Sequence, residues 1–266
     1  MKRHKQRTIM CEIFGITSKN KIQADYMLNK FFSHSVEHQH GWGIAIFDGF
    51  SVSVEREPVK ALDSVYLKNR LTGDFLVDKM MAHIRRATSG LAEYNNTHPF
   101  VKADESGRKW TLVHNGHIFD APVLRKYIPL QSGTTDTERI LLHIVDQVNR
   151  KFMDELSYFD VNERFQTIDR VVTDLSRGNK LNLLLYDGEY MYVHNNQKDS
   201  LFIKHSDNCS IFSTKSLCDD NWEPLPENQL FIYHDGELIY EGERHENTYV
   251  SDPERESSLY LGFSGL

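Results

Sequence analysis

No run of apolar residues in this chain approaches the length a membrane-spanning helix needs, about 20 residues; the longest, Leu181 to Tyr186, is far too short. Positive charge is not in excess. Thirty-one Lys and Arg stand against 38 Asp and Glu, a net charge of −7, which argues against a general binder of nucleic acid or of a membrane surface. Cysteine is scarce and odd in number: Cys11, Cys209 and Cys218 do not make a disulfide framework, and they fit a reducing compartment. Residues 1–10 are basic and polar and lack the apolar stretch of a secretory signal, so the expected location is the cytoplasm. No internal repeat, low-complexity block, P-loop, dinucleotide fingerprint or G-x-S-x-G motif is present. With 39% hydrophobic and 26% charged residues, what remains is an ordinary globular composition, long enough to bury a substantial core.

The stretch that organises the chain is Met10-Cys11-Glu12-Ile13-Phe14-Gly15-Ile16, an apolar strand with a cysteine at its head. A thiolate is the strongest common side-chain nucleophile but needs help to ionise near neutral pH. In a chain that began at Cys11, its own α-amine, with a pKa of about 8, would be that base. The competing reading is a buried core cysteine, the commoner fate of a lone Cys.

Helical spacing of Ile22, Tyr26, Met27 and Phe31 predicts a helix within 22–36. Gly41-Trp42-Gly43 leads into a strand that turns at Asp48-Gly49 into a second, Ser51 to Val54. A helix is expected near Val59–Asn69, then strands at Met80–Arg86 and Trp110–His114. Thr135 with Glu138 forms a capping box before a helix carrying Ile140, Leu141, Ile144 and Val148, and a second helix covers 162–175. The last third reads as strands turning at Asp187-Gly188 and Asp235-Gly236. This order predicts an α+β layered architecture. The expected organisation is an extension or propeptide over 1–10, one domain over 11–241, and a C-terminal extension over 242–266 that packs on the domain or meets a partner.

Alternation puts His83 and Arg85 on one face of their strand, and an arginine at the end of a core-like strand can clamp a carboxylate at two points. Thr88 and Ser89 add hydroxyls in the following turn. Asn115 and Gly116 offer an amide and a backbone N–H to a developing oxyanion, or else form a type I′ turn. Asp136 sits in the first turn of its helix, where a carboxylate is favoured whether or not it receives a substrate ammonium. His34, His38 and His40 lack the order of a zinc-protease helix, and a solvated helix end explains them better; no metal or cofactor is called for.

In order, Met-Cys-Glu-Ile-Phe-Gly at 10–15, Gly-Trp-Gly-Ile-Ala at 41–45, Ala-His-Ile-Arg-Arg-Ala-Thr at 82–88, Asn-Thr-His-Pro-Phe at 96–100, His-Asn-Gly at 114–116 and Thr-Asp-Thr-Glu at 135–138 resemble the class II glutamine amidotransferases. That family lies within the N-terminal nucleophile hydrolases. Ser213-Thr214-Lys215 and Trp222 to Pro226 extend the resemblance toward its stand-alone branch. It implies a four-layer α-β-β-α sandwich and hydrolysis of the amide of glutamine, or of a related γ-glutamyl amide, through a Cys11 thioester. It further implies an oxyanion hole from Asn115 and Gly116, Arg85 on the substrate carboxylate, Asp136 on its ammonium, and Thr88 and His98 lining the pocket. Ammonia would pass to a separate synthase subunit or simply leave. The family mechanism requires a free N-terminal cysteine, so Met10 is expected to be the true start, or residues 1–10 to be cut away. A tail that stays in place implies instead a silent module that binds a partner or a glutamine-like ligand.

Overall fold

In the computed structural model, residues 11–87, 91–155, 160–218 and 221–256 are described. Among them the chain runs β1 (Glu12–Gln23), α1 (Asp25–Ser33), β2 (Trp42–Asp48), β3 (Ser51–Glu57), α2 (Val65–Arg70), β4 (Leu76–Ile84), β5 (Phe100–Ala103) and β6 (Lys109–His117). There follow α3 (Asp136–Glu155), α4 (Val161–Ser176), β7 (Lys180–Tyr186), β8 (Met191–Asn195), β9 (Phe202–Ser206) and β10 (Cys209–Ser213). β11 (Glu223–Pro224), β12 (Gln229–His234) and β13 (Glu237–Glu241) complete the order. No helix among the described residues is long and apolar enough to cross a membrane.

The strands form two antiparallel sheets, β11-β9-β10-β1-β4-β2-β3 and β13-β12-β8-β7-β6-β5. Side chains alternate between the faces of a strand, so each sheet feeds two core layers. Phe14 and Ile16 of β1 pack outward with Leu28 and Phe31 of α1. Ile13, one residue out of phase, packs inward with Val113 of β6 and Leu184 of β7. Leu183 and Leu185 of β7 face the other way, onto Ile140 and Ile144 of α3 and Ile168 and Val172 of α4. The result is helices, sheet, sheet, helices: the expected four-layer sandwich. The face shared by the sheets is where odd-numbered residues of β1, β4 and β6 meet even-numbered residues of β7.

Local chemistry sets the helix starts. The Asp160 side chain accepts the Glu163 N–H (2.9 Å) while Glu163 accepts that of Asp160 (3.1 Å), a full capping box on α4. At α3 only half of the expected box forms. Thr135 Oγ1 accepts the Glu138 N–H (3.3 Å), but the Glu138 carboxylate turns back to the N–H groups of Ser132 and Gly133. The helix expected over 59–69 is shorter, a 3-10 turn at Ala61–Asp63 followed by α2, and the one within 22–36 begins only after β1 has run on to Gln23.

Candidate active site

Cys11 precedes β1 directly, and its Sγ lies against the main chain of Arg86, 3.2 Å from both the N–H it accepts from and the carbonyl it donates to. The next residues are clamped in place. Thr214 Oγ1 accepts the Ile13 N–H (3.3 Å), and the Glu12 carboxylate is met by Lys215 and by His34 Nδ1 (2.8 Å). Burial pushes the Glu12 carboxyl up, but the bonds from His34 and Lys215 outweigh it and hold it below its ordinary value. His34 and His38 therefore serve an ion cluster around Glu12, while His40 Nδ1 accepts the Ala87 N–H (2.9 Å).

Arg85 lies just past the end of β4 and is 2% exposed. Its guanidinium donates to Leu91 O (3.0 Å), and its backbone N–H donates to Gly41 O (2.8 Å). The same Leu91 carbonyl takes a bond from Asn96 Nδ2 (3.1 Å), and Asn96 Oδ1 accepts the Thr134 N–H (2.7 Å). Asn96 thus ties the loop after Arg85 to the start of α3, where Asp136 sits. Asp136 Oδ2 accepts the Ile118 N–H (2.9 Å) and lies 3.6 Å from His117 Nδ1. Burial works against its ionisation, but His114, His117, the Ile118 N–H and Arg139 together hold its carboxyl below the usual range.

Asn115 and Gly116 lie inside β6, paired with Asn182 and Leu181 of β7, so the Asn-Gly pair is not a turn. Seven consecutive residues of β7 pair with β6, and that cross-strand ladder overrides the local turn preference. Alternation turns Asn115 to the same inner face as Cys11. It is 4% exposed, and its Oδ1 has no hydrogen-bond partner among the described residues. Gly116 has no room for a side chain: a Cβ would fall 2.1 Å from Lys180 O and 2.4 Å from His114 Nε2.

His98 stacks on His83 with ring centroids 3.9 Å apart, and both of its ring nitrogens lack partners among the described residues. Burial holds both imidazoles well below their ordinary pKa, so they are neutral at pH 7. Thr88 lies outside the described residues.

Charge links the pieces. Burial pushes the Cys11 thiol up, while the Arg86 main chain, Arg85 and Lys180 act to lower it and Asp136 to raise it. Cys11, Arg85 and Asp136 therefore share one buried electrostatic neighbourhood. Lys180, at the head of β7, is a member that no sequence motif marks. The signal was there: a lysine beginning Lys-Leu-Asn-Leu-Leu-Leu-Tyr shares the alternation phase of Asn182 and Leu184, the inner one. Asn96, His40 and Thr214 stand within stretches that the sequence reading singled out, but their roles did not show there, because residues that work through backbone bonds leave no periodic trace.

Two stacked antiparallel sheets between helical layers, with a cysteine heading a central strand, are the architecture of the N-terminal nucleophile hydrolases. The chain belongs to the class-II glutamine amidotransferases, whose family model matches residues 10–206. It is 27% identical over 265 aligned positions to an uncharacterised protein of Methanocaldococcus jannaschii, covering 88% of this chain and 72% of that one. It is 26% identical to a provisionally named glutamine amidotransferase of Haemophilus influenzae, covering 70% of this chain and 63% of the relative. Among solved structures, the Bacillus subtilis glutamine PRPP amidotransferase with ADP and GMP superposes with a TM-score of 0.65 at 17% identity, over 90% of this chain and 50% of that one. A Pseudomonas aeruginosa structure assigned as a glutamine amidotransferase gives 0.57 at 19% identity, over 86% of this chain and all of that one. At such identities the likeness to these structures is one of fold.

Proposed function

We propose that this chain cleaves the side-chain amide of glutamine, or of a related γ-glutamyl amide, through a thioester on Cys11. The observation that carries the reading is the Asn115 carboxamide: buried, on the same inner face as the thiol, and hydrogen-bonded through neither its Oδ1 nor its Nδ2 among the described residues, so that the Nδ2–H group is left to donate to an oxyanion. A buried polar group left without a partner is costly, and it persists where a ligand completes it.

In a chain that starts at Cys11, the α-amine takes the thiol proton and the sulfur attacks the amide carbon. Asn115 and the Gly116 N–H receive the oxyanion of the tetrahedral intermediate. Arg85 binds the substrate α-carboxylate, Asp136 its α-ammonium, and His98 and Thr88 line the pocket. The C–N bond then breaks, the nitrogen leaves with a proton returned by the amine, and water hydrolyses the thioester to glutamate. Ammonia released from glutamine either diffuses away or passes to a separate synthase subunit.

The test is glutamate release from glutamine by protein whose N-terminal residue has been verified as Cys11, set beside Cys11→Ala and beside protein that retains residues 1–10. Turnover is expected only in the first. Equal turnover in the Cys11→Ala variant would sink the proposal, and turnover by the tailed protein would remove the α-amine as base.

A further inference from the structure

Asn115 stands directly opposite Asn182 in the ladder between β6 and β7, and both side chains lie on the inner face. Asn182 is completely buried. Side chains directly opposed on one sheet face stand about 4.5–5.5 Å apart at Cβ, against about 7–8 Å for the diagonal positions; the diagonal positions here are Lys180 and Leu184. Two opposed carboxamides therefore come within hydrogen-bond reach by rotation about their side-chain bonds.

Two neighbours fix which way the Asn182 carboxamide faces. The Asn196 N–H, which can only donate, lies 3.3 Å from one end, so that end is Oδ1. Ser200 Oγ lies 2.7 Å from the other. The Ser200 hydroxyl proton is committed elsewhere, to Asn195 Oδ1 (2.9 Å) or the Gln197 carbonyl (2.6 Å), so Ser200 accepts from Asn182 and the atom facing it is Nδ2. Asn195 is itself held, its Nδ2 donating to Leu225 O (3.2 Å) and its Oδ1 accepting the Gln197 N–H (3.0 Å). An amide nitrogen carries two hydrogens. One goes to Ser200, and the other has no partner among the described residues. Across the ladder, Asn115 Oδ1 has none either.

Resting on the amide-hydrolysis reading, we propose that Asn182 is a positioning residue: with substrate bound, its spare Nδ2 hydrogen is donated to Asn115 Oδ1, which aims the Asn115 Nδ2–H group at the oxyanion. A carboxamide has two ends, and an Asn115 turned the other way would present its oxygen to the negative charge. The Asn182 hydrogen excludes that orientation, because an amide oxygen accepts it and an amide nitrogen does not. The same bond sets three donors in a row: the Asn196 N–H on Asn182, Asn182 on Asn115, and Asn115 on the oxyanion. Each amide polarised at its oxygen donates more strongly from its nitrogen. No proton leaves any of these groups.

The experiment measures kcat and KM for glutamine on protein that starts at Cys11, in the wild type, Asn182→Ala, Asn115→Ala and the double variant. Loss of one neutral hydrogen bond corresponds to a fall in kcat of about tenfold in Asn182→Ala, with KM within about twofold of wild type. In the Asn115→Ala background the same substitution should change kcat by less than about twofold, because the group that Asn182 aims is gone. A merely structural Asn182 would give an equal fall in both backgrounds. Asn182→Asp covers the case in which the alanine variant does not fold. It keeps the shape and an acceptor for the Asn196 N–H, but its carboxylate has no hydrogen to give, and it should lose at least as much kcat. Wild-type kcat in a folded Asn182 variant, or an equal fall in both backgrounds, overturns the inference; glutamine turnover that is lowered in Asn115→Ala then leaves the amide-hydrolysis reading standing. Wild-type kcat in Asn115→Ala overturns it too. No turnover by the wild type overturns both.

Discussion

Asn115 contributes little to the fold with its side chain, since no hydrogen bond to its carboxamide forms within the described residues. Its neighbours carry the structural bonds: His114 reaches Thr137 Oγ1 (3.1 Å) and Lys180 O (3.3 Å), and Gly116 admits the β7 backbone. That division separates function from stability at adjacent positions. Asn115→Ala should lower kcat for glutamine by about 10²- to 10³-fold, the usual effect of losing one oxyanion donor. Its thermal midpoint should stay close to wild type, because no internal bond is lost. Steady-state kinetics with calorimetry on one preparation checks both. A variant with wild-type kcat removes Asn115 from the oxyanion site, and one that unfolds shows that its amide has a structural partner.

Two strands, β2 and β4, bring the inner face together, and one position controls how closely they meet the loop above them. Gly43 pairs with His83, and a Cβ on it would lie 2.0 Å from His98 O and 2.9 Å from Pro99. Arg56 on β3 holds the same loop by donating to Thr97 O (2.7 Å) and Pro99 O (2.8 Å), so the loop has little freedom to retreat. Gly43→Ala is therefore expected to cost about 3 kcal/mol of stability by overpacking. It should also weaken substrate binding, since His98 stacks on His83 beneath the site. Urea unfolding and a KM measurement check it, and an unchanged midpoint would mean the loop yields. The Gly-Trp-Gly motif was legible as the lead into a strand but not as the close approach that Gly43 makes to His98 and Pro99, while the periodic helices α3 and α4 were legible from their apolar faces. β5 was not, because Phe100-Val101-Lys102-Ala103 is too short to show alternation. The 3-10 stretch Pro122–Leu130 was also missed, since Pro129 masks its helical spacing. Asn115-Gly116 misled locally: the strongest short turn signal sits inside a strand because seven residues of β7 pair alongside it.

At the scale of the whole molecule, the segment after β13 crosses the second sheet rather than trailing from it. Gly242 donates to Leu230 O (2.8 Å), His245 to Asn228 O (2.8 Å) and Tyr249 to Asn196 O (2.7 Å), and Tyr249 stacks on Phe119 with centroids 6.1 Å apart. Where this segment starts, it meets α4 badly. Asp169 lies against the Gly242 backbone, yet the Gly242 N–H is already given to Leu230, so the carboxylate gains no donor there. Burial, with Glu243 adding like charge, raises its pKa from 3.8 to about 6. The sign follows from proton binding. Between pH 4 and 6 the folded chain keeps a proton that the unfolded chain has lost, so this group's contribution falls as pH rises through that window and stays low above it. A carboxyl raised this far can cost at most about 3 kcal/mol when ionised, and solvent screening of a partly exposed side chain reduces that to about 1 kcal/mol. Asp169→Asn should therefore raise the unfolding midpoint at about pH 7.5, and its advantage should vanish near pH 4, where both chains carry a neutral group. Unfolding curves at the two pH values decide it. An equal midpoint at the higher pH would mean that the ionised carboxylate is well solvated where the C-terminal segment joins the sheet.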